Sequence, residues 1–156
     1  MTNNKFLRND GQFQQVDSVS VVVTTGAASG FLSSLTKATT ANITSSSTSV
    51  YTDGPTVAQG SSGVWYAVGT LTVTDSAAAR QWMAKLWDGT TTIASAASQI
   101  SAATGPGSIT LGGVITSPAG NIRMSCIPLS AVATFSMLFN FSGNSADCNV
   151  TAIRIG

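Results

Sequence analysis

The stretch Gly63–Thr74, with the sequence GVWYAVGTLTVT, has the clearest secondary-structure pattern in the chain. Trp65, Leu71 and Val73 fall on one face of an extended chain, whereas Tyr66 and the neighbouring threonines fall on the other. A repeat of two residues is the period of a β-strand whose one face is buried. This stretch therefore predicts a long strand with one side in the core and the other side facing water or a partner.

The residues after Thr39 repeat this pattern, with Gly, Pro, Asn or Asp between segments at the spacing of about 8 to 12 residues that sandwiches and barrels show. The predicted strands are Ser47–Tyr51, Gly63–Thr74, Arg80–Trp87, Thr91–Ala96, Ser108–Ile115, Asn121–Ile127, Ala131–Ser142 and Cys148–Ile155. Asp53-Gly54-Pro55 and Asp88-Gly89 are predicted turns. Because strands do not alternate with helices, we expect an all-β fold: an antiparallel two-sheet β-sandwich of the jelly-roll type.

The aromatic residues divide into predicted core and predicted surface. Phe135, Met137, Phe139 and Phe141 recur with a period of two, which predicts a central core stripe. Trp65 and Trp82 also lie on apolar faces and are expected in the core. Tyr66 and Trp87 lie on the opposite strand faces, so they are the candidates for a subunit interface or for stacking on a sugar ring.

The chain divides by composition into an N-terminal arm, residues 1–38, and a β-sandwich head, residues 39–156. The first seventeen residues are polar and too poor in apolar residues for a core of their own. Phe6, Leu7 and Phe13 bracket an Asn-Asp-Gly turn, and Arg8 adds a positive charge beside them. Such residues could fill pockets on a partner. The alternative is that the segment folds back onto its own oligomer.

The low charge of the chain favours assembly. Charged residues make up 8% of the sequence and hydrophobic residues 43%, so the polar surface consists mainly of uncharged side chains. Little electrostatic repulsion keeps copies of such a chain apart, which favours coverage by neighbouring subunits. The net charge of +1, without a basic patch, argues against nucleic-acid binding.

The residue types argue against an enzyme. Histidine and glutamate are both absent, which removes the commonest general base, the commonest metal ligand and most carboxylate pairs. Most of the six aspartates have turn explanations, and no Gly-rich phosphate loop or calcium loop is present. We therefore expect no catalytic residue, metal or cofactor.

The sequence also carries expectations about location and redox state. No apolar stretch has the length of a membrane-spanning helix, and Met1–Phe6 lacks the apolar core of a secretory signal. We expect synthesis in the cytoplasm and no membrane partner. Cys126 and Cys148 both fall in predicted strands, and buried free thiols are favoured over a bridge between them.

Three segments carry a resemblance to a known class of proteins. Lys5–Phe13, KFLRNDGQF, resembles a short FLR-x-DG-x-aromatic element of tailed-bacteriophage virion proteins. Gly63–Val73 with Ala84–Thr90 looks like the hairpin of phage jelly-roll modules at fibre tips, spikes and capsid decorations. Val150–Gly156 is similar to the strand that ends many of them. These matches cover less than half of the chain.

The resemblance implies a non-enzymatic structural protein of a phage virion surface, as in capsid decoration or head-fibre proteins or in tail fibres and spikes. It implies a homotrimer of jelly-roll heads on the virion surface, assembled in the host cytoplasm, with the arm residues Phe6, Leu7, Arg8 and Phe13 attached to major capsid or tail proteins. The alternative function is a receptor-binding or glycan-binding module for adsorption to the host surface.

Overall fold

The computed structural model describes residues 34–130, 134–143 and 146–156, together with the backbone of two short strands nearer the N-terminus. Those two are β1, Lys5–Leu7, and β2, Phe13–Gln15, which pair antiparallel. The described residues contain twelve strands in all and no helix. No helix capable of crossing a membrane occurs in this part of the chain. The predicted all-β class is confirmed.

Ten strands form the body of the protein, and every pairing between them is antiparallel. They are β3 Ser34–Ala38, β4 Ile43–Thr44, β5 Thr52–Val57, β6 Val64–Asp75, β7 Arg80–Trp87, β8 Thr92–Ile100, β9 Pro106–Thr116, β10 Ile122–Pro128, β11 Phe135–Met137 and β12 Asn149–Arg154. The smaller sheet has the order β5-β10-β7-β8. In the larger sheet, β6 pairs on one side with β9 and on the other with β12 and β11, which continue to β3 and β4.

The hydrogen-bonded pairs are nested along the chain. β7 pairs with β8, β6 with β9, β5 with β10, and finally β3 with β12 and β4 with β11. The chain is therefore one long hairpin whose successive strand pairs fall alternately in the smaller and the larger sheet. This wrapping is the jelly roll that the strand pattern predicts.

The inner faces of the two sheets meet in one core. Trp82 of β7 and Phe135 of β11 are both fully buried, and their ring centroids lie 6.1 Å apart across the two sheets. Trp65 is also buried, so both tryptophans predicted for the core are there. Burial also alternates along β9, where inward Leu111 is buried and outward Thr110 is exposed.

The Asp88-Gly89 turn between β7 and β8 lies at the centre of the nested hairpin, as predicted. Gly89 has a φ of 96°, a backbone conformation that residues with a Cβ rarely adopt. The Asp88 carboxylate accepts hydrogen bonds from the backbone N–H groups of Thr90 and Thr91, at 2.8 and 2.6 Å. The turn therefore explains why Asp and Gly stand at these two positions.

Two predictions around residue 50 are wrong. Ser47–Tyr51 is not a strand, because Ser47 Oγ accepts the backbone N–H groups of Ser49 and Val50 and bends the chain. Asp53-Gly54-Pro55 is not a turn but part of β5, where the pairing register with β10 shifts. β5 is an edge strand, where the missing N–H of a proline removes no necessary ladder bond.

The predicted aromatic stripe continues less far than expected. Phe135 and Met137 are fully buried, but β11 ends there, Phe139 is half-buried and Phe141 is 53% exposed. The Asn42 side chain accepts the Phe139 N–H at 3.0 Å, outside any ladder. Alternation alone cannot show where the chain leaves the sheet.

The structure describes only part of the range 1–38. β3 lies within this range and pairs with β12. The backbones of Phe6, Leu7 and Phe13 lie in β1 and β2. Arg8 and the predicted Asn-Asp-Gly turn lie outside the described residues.

Replacing Trp82 by alanine should lower the free energy of unfolding by about 3 to 5 kcal/mol, because it leaves a large cavity between the sheets. Denaturant unfolding followed by far-ultraviolet circular dichroism measures the loss. Val50→Ala, at a side chain that is 65% exposed, is the control and should change stability by less than about 0.5 kcal/mol. Equal effects of the two substitutions would contradict a core centred on Trp82.

Candidate functional site

The outward face of the larger sheet carries no charged side chain on any of its described strands. In the register of the sheet, its outward positions are Ser34, Thr36 and Ala38 on β3, Thr44 on β4, Ser136 on β11, Asn149, Thr151 and Ile153 on β12, Val64, Tyr66, Val68, Thr70, Thr72 and Thr74 on β6, and Pro106, Ser108, Thr110, Gly112, Val114 and Thr116 on β9. We call this surface the charge-free face.

Hydroxyl groups on the charge-free face bond to one another across strands. The hydroxyl oxygens are 2.9 Å apart in the pairs Thr36–Thr151, Thr70–Thr110 and Thr72–Ser108, and 3.2 Å apart in Thr44–Ser136. A hydroxyl with a partner loses less free energy when water is removed than one without a partner. Burying this polar surface therefore costs less free energy than burying the same hydroxyls unpaired.

The apolar part of the charge-free face is centred on Tyr66. Tyr66 lies directly opposite Val114 on β9 and Ile153 on β12. Tyr66 is 41% exposed and Val114 is 55% exposed. An aromatic ring and two β-branched residues thus form a contiguous apolar area in the middle of an uncharged surface.

The outward face of the smaller sheet has a different character. Tyr51, Lys85, Trp87 and Arg123 form what we call the aromatic–cation cluster. The Lys85 Nζ atom lies 3.6 Å from the centroid of the Trp87 ring and 4.2 Å from that of Tyr51. The Arg123 guanidinium carbon lies 5.5 Å from the Trp87 centroid. These distances are those of cation–π contacts.

A hydrogen-bond network holds the cluster in place. The Trp87 indole N–H donates to Ser125 Oγ at 2.7 Å, and Ser125 Oγ donates to one oxygen of Asp53 at 2.6 Å. The other Asp53 oxygen accepts Arg123 Nη1 at 2.7 Å. Burial raises the pKa of the Tyr51 hydroxyl, which therefore stays protonated at neutral pH. Ring and guanidinium are both oriented by partners within the chain.

A pocket of about 300 Å³ opens on the same side of the smaller sheet. It is lined by Gln81, Ala97, Ser98, Gln99 and Leu129. Gln81 of β7 and Gln99 of β8 are cross-strand partners, and both are exposed. Two primary amides thus stand on β7, the strand of Lys85, and on its neighbour β8.

The structure separates the two predicted surface aromatics. Tyr66 lies on the charge-free face and half-buried Trp87 lies on the opposite side of the sandwich. Sequence reasoning did not find Lys85 as a neighbour of Trp87, although a period of two places both on one face of β7. No local pattern places Arg123 or Tyr51 beside Trp87, because strand pairing brings them there from distant parts of the chain.

Cys126 and Cys148 are both buried and free, as the sequence analysis favoured. Burial raises the pKa of Cys126 to about 12. Cys148 Sγ donates to the Thr72 carbonyl and accepts the Thr72 N–H, both at 3.3 Å. Within the described ranges, no group of three His, Cys, Asp or Glu side chains is placed to hold a metal ion.

No protein-family model matches the chain, and no curated protein matches it in sequence. Among solved structures, it is similar to Eiger TNF from S. frugiperda, with a TM-score of 0.54, 12% identity, and coverage of 80% of this chain and 93% of that one. PRD1 vertex protein P5 matches with a TM-score of 0.39, 17% identity and coverage of 80% and 96%. The VP2 subviral particle of infectious bursal disease virus matches with a TM-score of 0.39, 13% identity, and coverage of 93% of this chain and 40% of that one. The likeness to Eiger TNF shows the fold alone.

Two buried carboxylates anchor the loops at the ends of the strands. Burial raises the pKa of Asp88, but the backbone N–H groups of Thr91, Thr90 and Ala119 outweigh that effect and lower the pKa below its ordinary value. Burial likewise raises the pKa of Asp75, and hydrogen bonds from Thr134, Ala77 and Arg80 lower it further than burial raises it. Asp88 follows Trp87 directly, so its loop helps to position the cluster.

Acid should destabilise the protein through these two aspartates. Below about pH 4 the unfolded chain takes up protons on both carboxylates before the folded chain does, so the free energy of unfolding should fall as the pH is lowered. Urea unfolding between pH 7 and pH 3 measures this slope. An Asp75→Asn, Asp88→Asn variant should be less stable at pH 7 and show a flatter profile. Parallel profiles for the two proteins would contradict the assignment.

Proposed function

We propose that this chain is a non-enzymatic structural protein of a phage virion surface, either a capsid decoration or head fibre or a component of a tail fibre or spike. Its jelly-roll head stands on the virion surface as a homotrimer, and its N-terminal arm attaches it to other virion proteins such as the major capsid or tail proteins. Synthesis and assembly take place in the host cytoplasm. The resemblance of Lys5–Phe13 to virion elements supports this role.

The charge-free face is the observation that carries the proposal. Burying an unpaired charge costs several kcal/mol, and leaving a hydroxyl without a partner costs about 1 to 3 kcal/mol. A subunit contact on this face avoids the cost of burying a charge and much of the cost for hydroxyls, because the face has no charge and eight of its hydroxyls are paired with one another. The apolar area around Tyr66 supplies the favourable burial.

The last strand takes part in this contact. β12 lies between β3 and β6, its inward Val150 and Ala152 are fully buried, and its outward Thr151 and Ile153 belong to the charge-free face. Neither side of β12 is purely polar. In this proposal one side packs in the core and the other contacts a neighbouring subunit. Attachment of many copies to one particle strengthens weak individual contacts.

A second candidate function is binding of a host-surface glycan during adsorption. The aromatic–cation cluster and the adjacent amide-lined pocket favour it, because they lie on the face opposite the proposed subunit contact. The two functions are compatible in one protein, since they use different surfaces.

A Tyr66→Arg, Val114→Arg variant should be monomeric where the wild-type chain is a trimer. Both side chains are exposed in the monomer, so folding should be retained, whereas a subunit contact would bury the new charges close together. Sedimentation velocity at micromolar concentration measures the change. The control is Val50→Arg, at an exposed loop residue, which should remain trimeric.

A wild-type protein that stays monomeric across the micromolar range would overturn the proposed trimer. A trimer that survives both arginines would move the contact to another face. Circular dichroism of the variant separates loss of assembly from loss of folding.

Deletion of Met1–Asp17 should abolish attachment to particles that lack the native copy, while the trimer and its thermal stability are retained. The reason is that this segment has apolar residues and charge but no core of its own. Electron microscopy of particles incubated with the truncated and the full-length protein measures attachment. Normal decoration by the truncated protein, or collapse of its trimer, would exclude the docking role.

A further inference from the structure

We infer that the outward face of the smaller sheet binds an acidic glycan, with the anionic group of the sugar at Lys85 and the uncharged sugar hydroxyls towards the pocket lined by Gln81 and Gln99. The inference stands on the residues of this face alone. It rests on the second candidate function and deepens it by naming the charge of the glycan and the residues that bind it, and it holds for a monomer as well as for a trimer.

Lys85 is the cation of this face whose N–H donors have no partner among the described residues. Its ammonium makes no ion pair and no hydrogen bond with any residue of the described ranges, and its contacts are with the π faces of Trp87 and Tyr51. An ammonium has three N–H donors, and an aromatic face neutralises none of the positive charge. An anion that approaches Lys85 therefore finds unused donors.

The other cations of the smaller sheet are already neutralised. Arg123 Nη1 lies 2.7 Å from an Asp53 oxygen, and Arg80 Nε lies 2.8 Å from an Asp75 oxygen. Lys85 differs from both because no carboxylate faces it. The cluster of Lys85, Arg123 and Asp53 thus retains a positive charge that can be matched by one negative group.

The ammonium is also held in position before a ligand arrives. The rings of Tyr51 and Trp87 lie 6.3 Å apart at an angle of 50°, and Lys85 Nζ is in contact with both. Trp87 is fixed in turn by its hydrogen bond to Ser125. Restricting a flexible lysine in advance lowers the entropic cost of binding. What Trp87 still offers a ligand is apolar ring surface beside a cation.

The pocket beside the aromatic–cation cluster suits a sugar. Lys85 and Gln81 are four residues apart on β7, which is about 13 Å along a strand and leaves room for a ligand longer than one ring. The amides of Gln81 and Gln99 have both donors and acceptors, as alcohol groups require. The pocket of about 300 Å³ between them is partly apolar, with Ala97 and Leu129 in its wall.

The chemistry of the face disfavours a polyanion such as nucleic acid. Affinity for a phosphate backbone requires several cations that each release counterions, whereas this face has one cation without a carboxylate partner. A single carboxylate or sulfate on an otherwise neutral sugar chain fits this arrangement. Because the charge-free face is on the other side of the sandwich, a trimer formed there leaves the cluster and the pocket open.

Titration calorimetry of the full chain with defined oligosaccharides tests the inference. The probes are a short oligogalacturonate, a sulfated heparin oligosaccharide and a neutral cello-oligosaccharide. We expect at least one acidic probe to bind with an affinity that falls as salt is raised, and the neutral probe to bind at least about tenfold more weakly. Preference between the two acidic probes distinguishes carboxylate from sulfate as the anionic group.

Lys85→Met keeps much of the apolar stem but removes the charge, and it should weaken binding of the acidic probe by about tenfold or more. Lys37→Met is the matched control, since Lys37 is an exposed lysine on β3, outside the smaller sheet. Lys85→Arg should retain binding to within a few fold. Gln99→Ala should weaken binding of both acidic and neutral sugars.

Failure of both acidic probes to bind at millimolar concentration would overturn the inference. Equal losses for Lys85→Met and Lys37→Met, with both variants folded, would do the same. The Tyr66→Arg, Val114→Arg variant should bind the acidic probe as well as the wild type does for each subunit. A chain that binds the sugar but never forms a trimer would therefore contradict only the proposed assembly.

Discussion

The whole structure depends on the contact between the inner faces of the two sheets. Trp82 from the smaller sheet packs on Phe135 from the larger one, and neither ring is accessible to solvent. Because the strand pairs of a jelly roll fall alternately in opposite sheets, each sheet contains strands from both halves of the chain. Neither sheet can bury its apolar side alone, so the two must form together.

The nested hairpin also explains why the two outward faces differ. The strands β7 and β8 at its centre place Lys85 and Trp87 outward on the smaller sheet, beside Arg123 of β10. The long strand β6 and its neighbours place paired hydroxyls and Tyr66 outward on the larger sheet. One face retains positive charge and a pocket, and the other has no charge and carries eight hydroxyls that are paired across strands. This asymmetry is the basis of the two proposals, assembly through one side and binding on the other.

The regions where strand prediction failed have a local cause in one case and tertiary causes in the others. Ser47 bends the chain through its own side chain, and Gly54 allows β5 to continue where a turn was expected, because a Cβ there would lie 2.8 Å from Met137 Sδ. Phe141 has the right period for the core but follows the point at which the chain leaves the sheet. The bend at Ser47 is local, whereas the outcome at Gly54 and Phe141 depends on neighbours that are distant in sequence, which a local pattern does not contain.

Alternation along single strands was enough to determine the all-β class, the burial of Trp65 and Trp82, and the exposure of Tyr66. The central turn was equally readable, because Asp88 and Gly89 act through their own backbone geometry. Only the tertiary structure brought Tyr51 and Arg123 to Trp87, and only it paired the threonines of the charge-free face. The reason is that side-chain direction has a period that is local to one strand, whereas sheet order and register join residues from opposite ends of the chain.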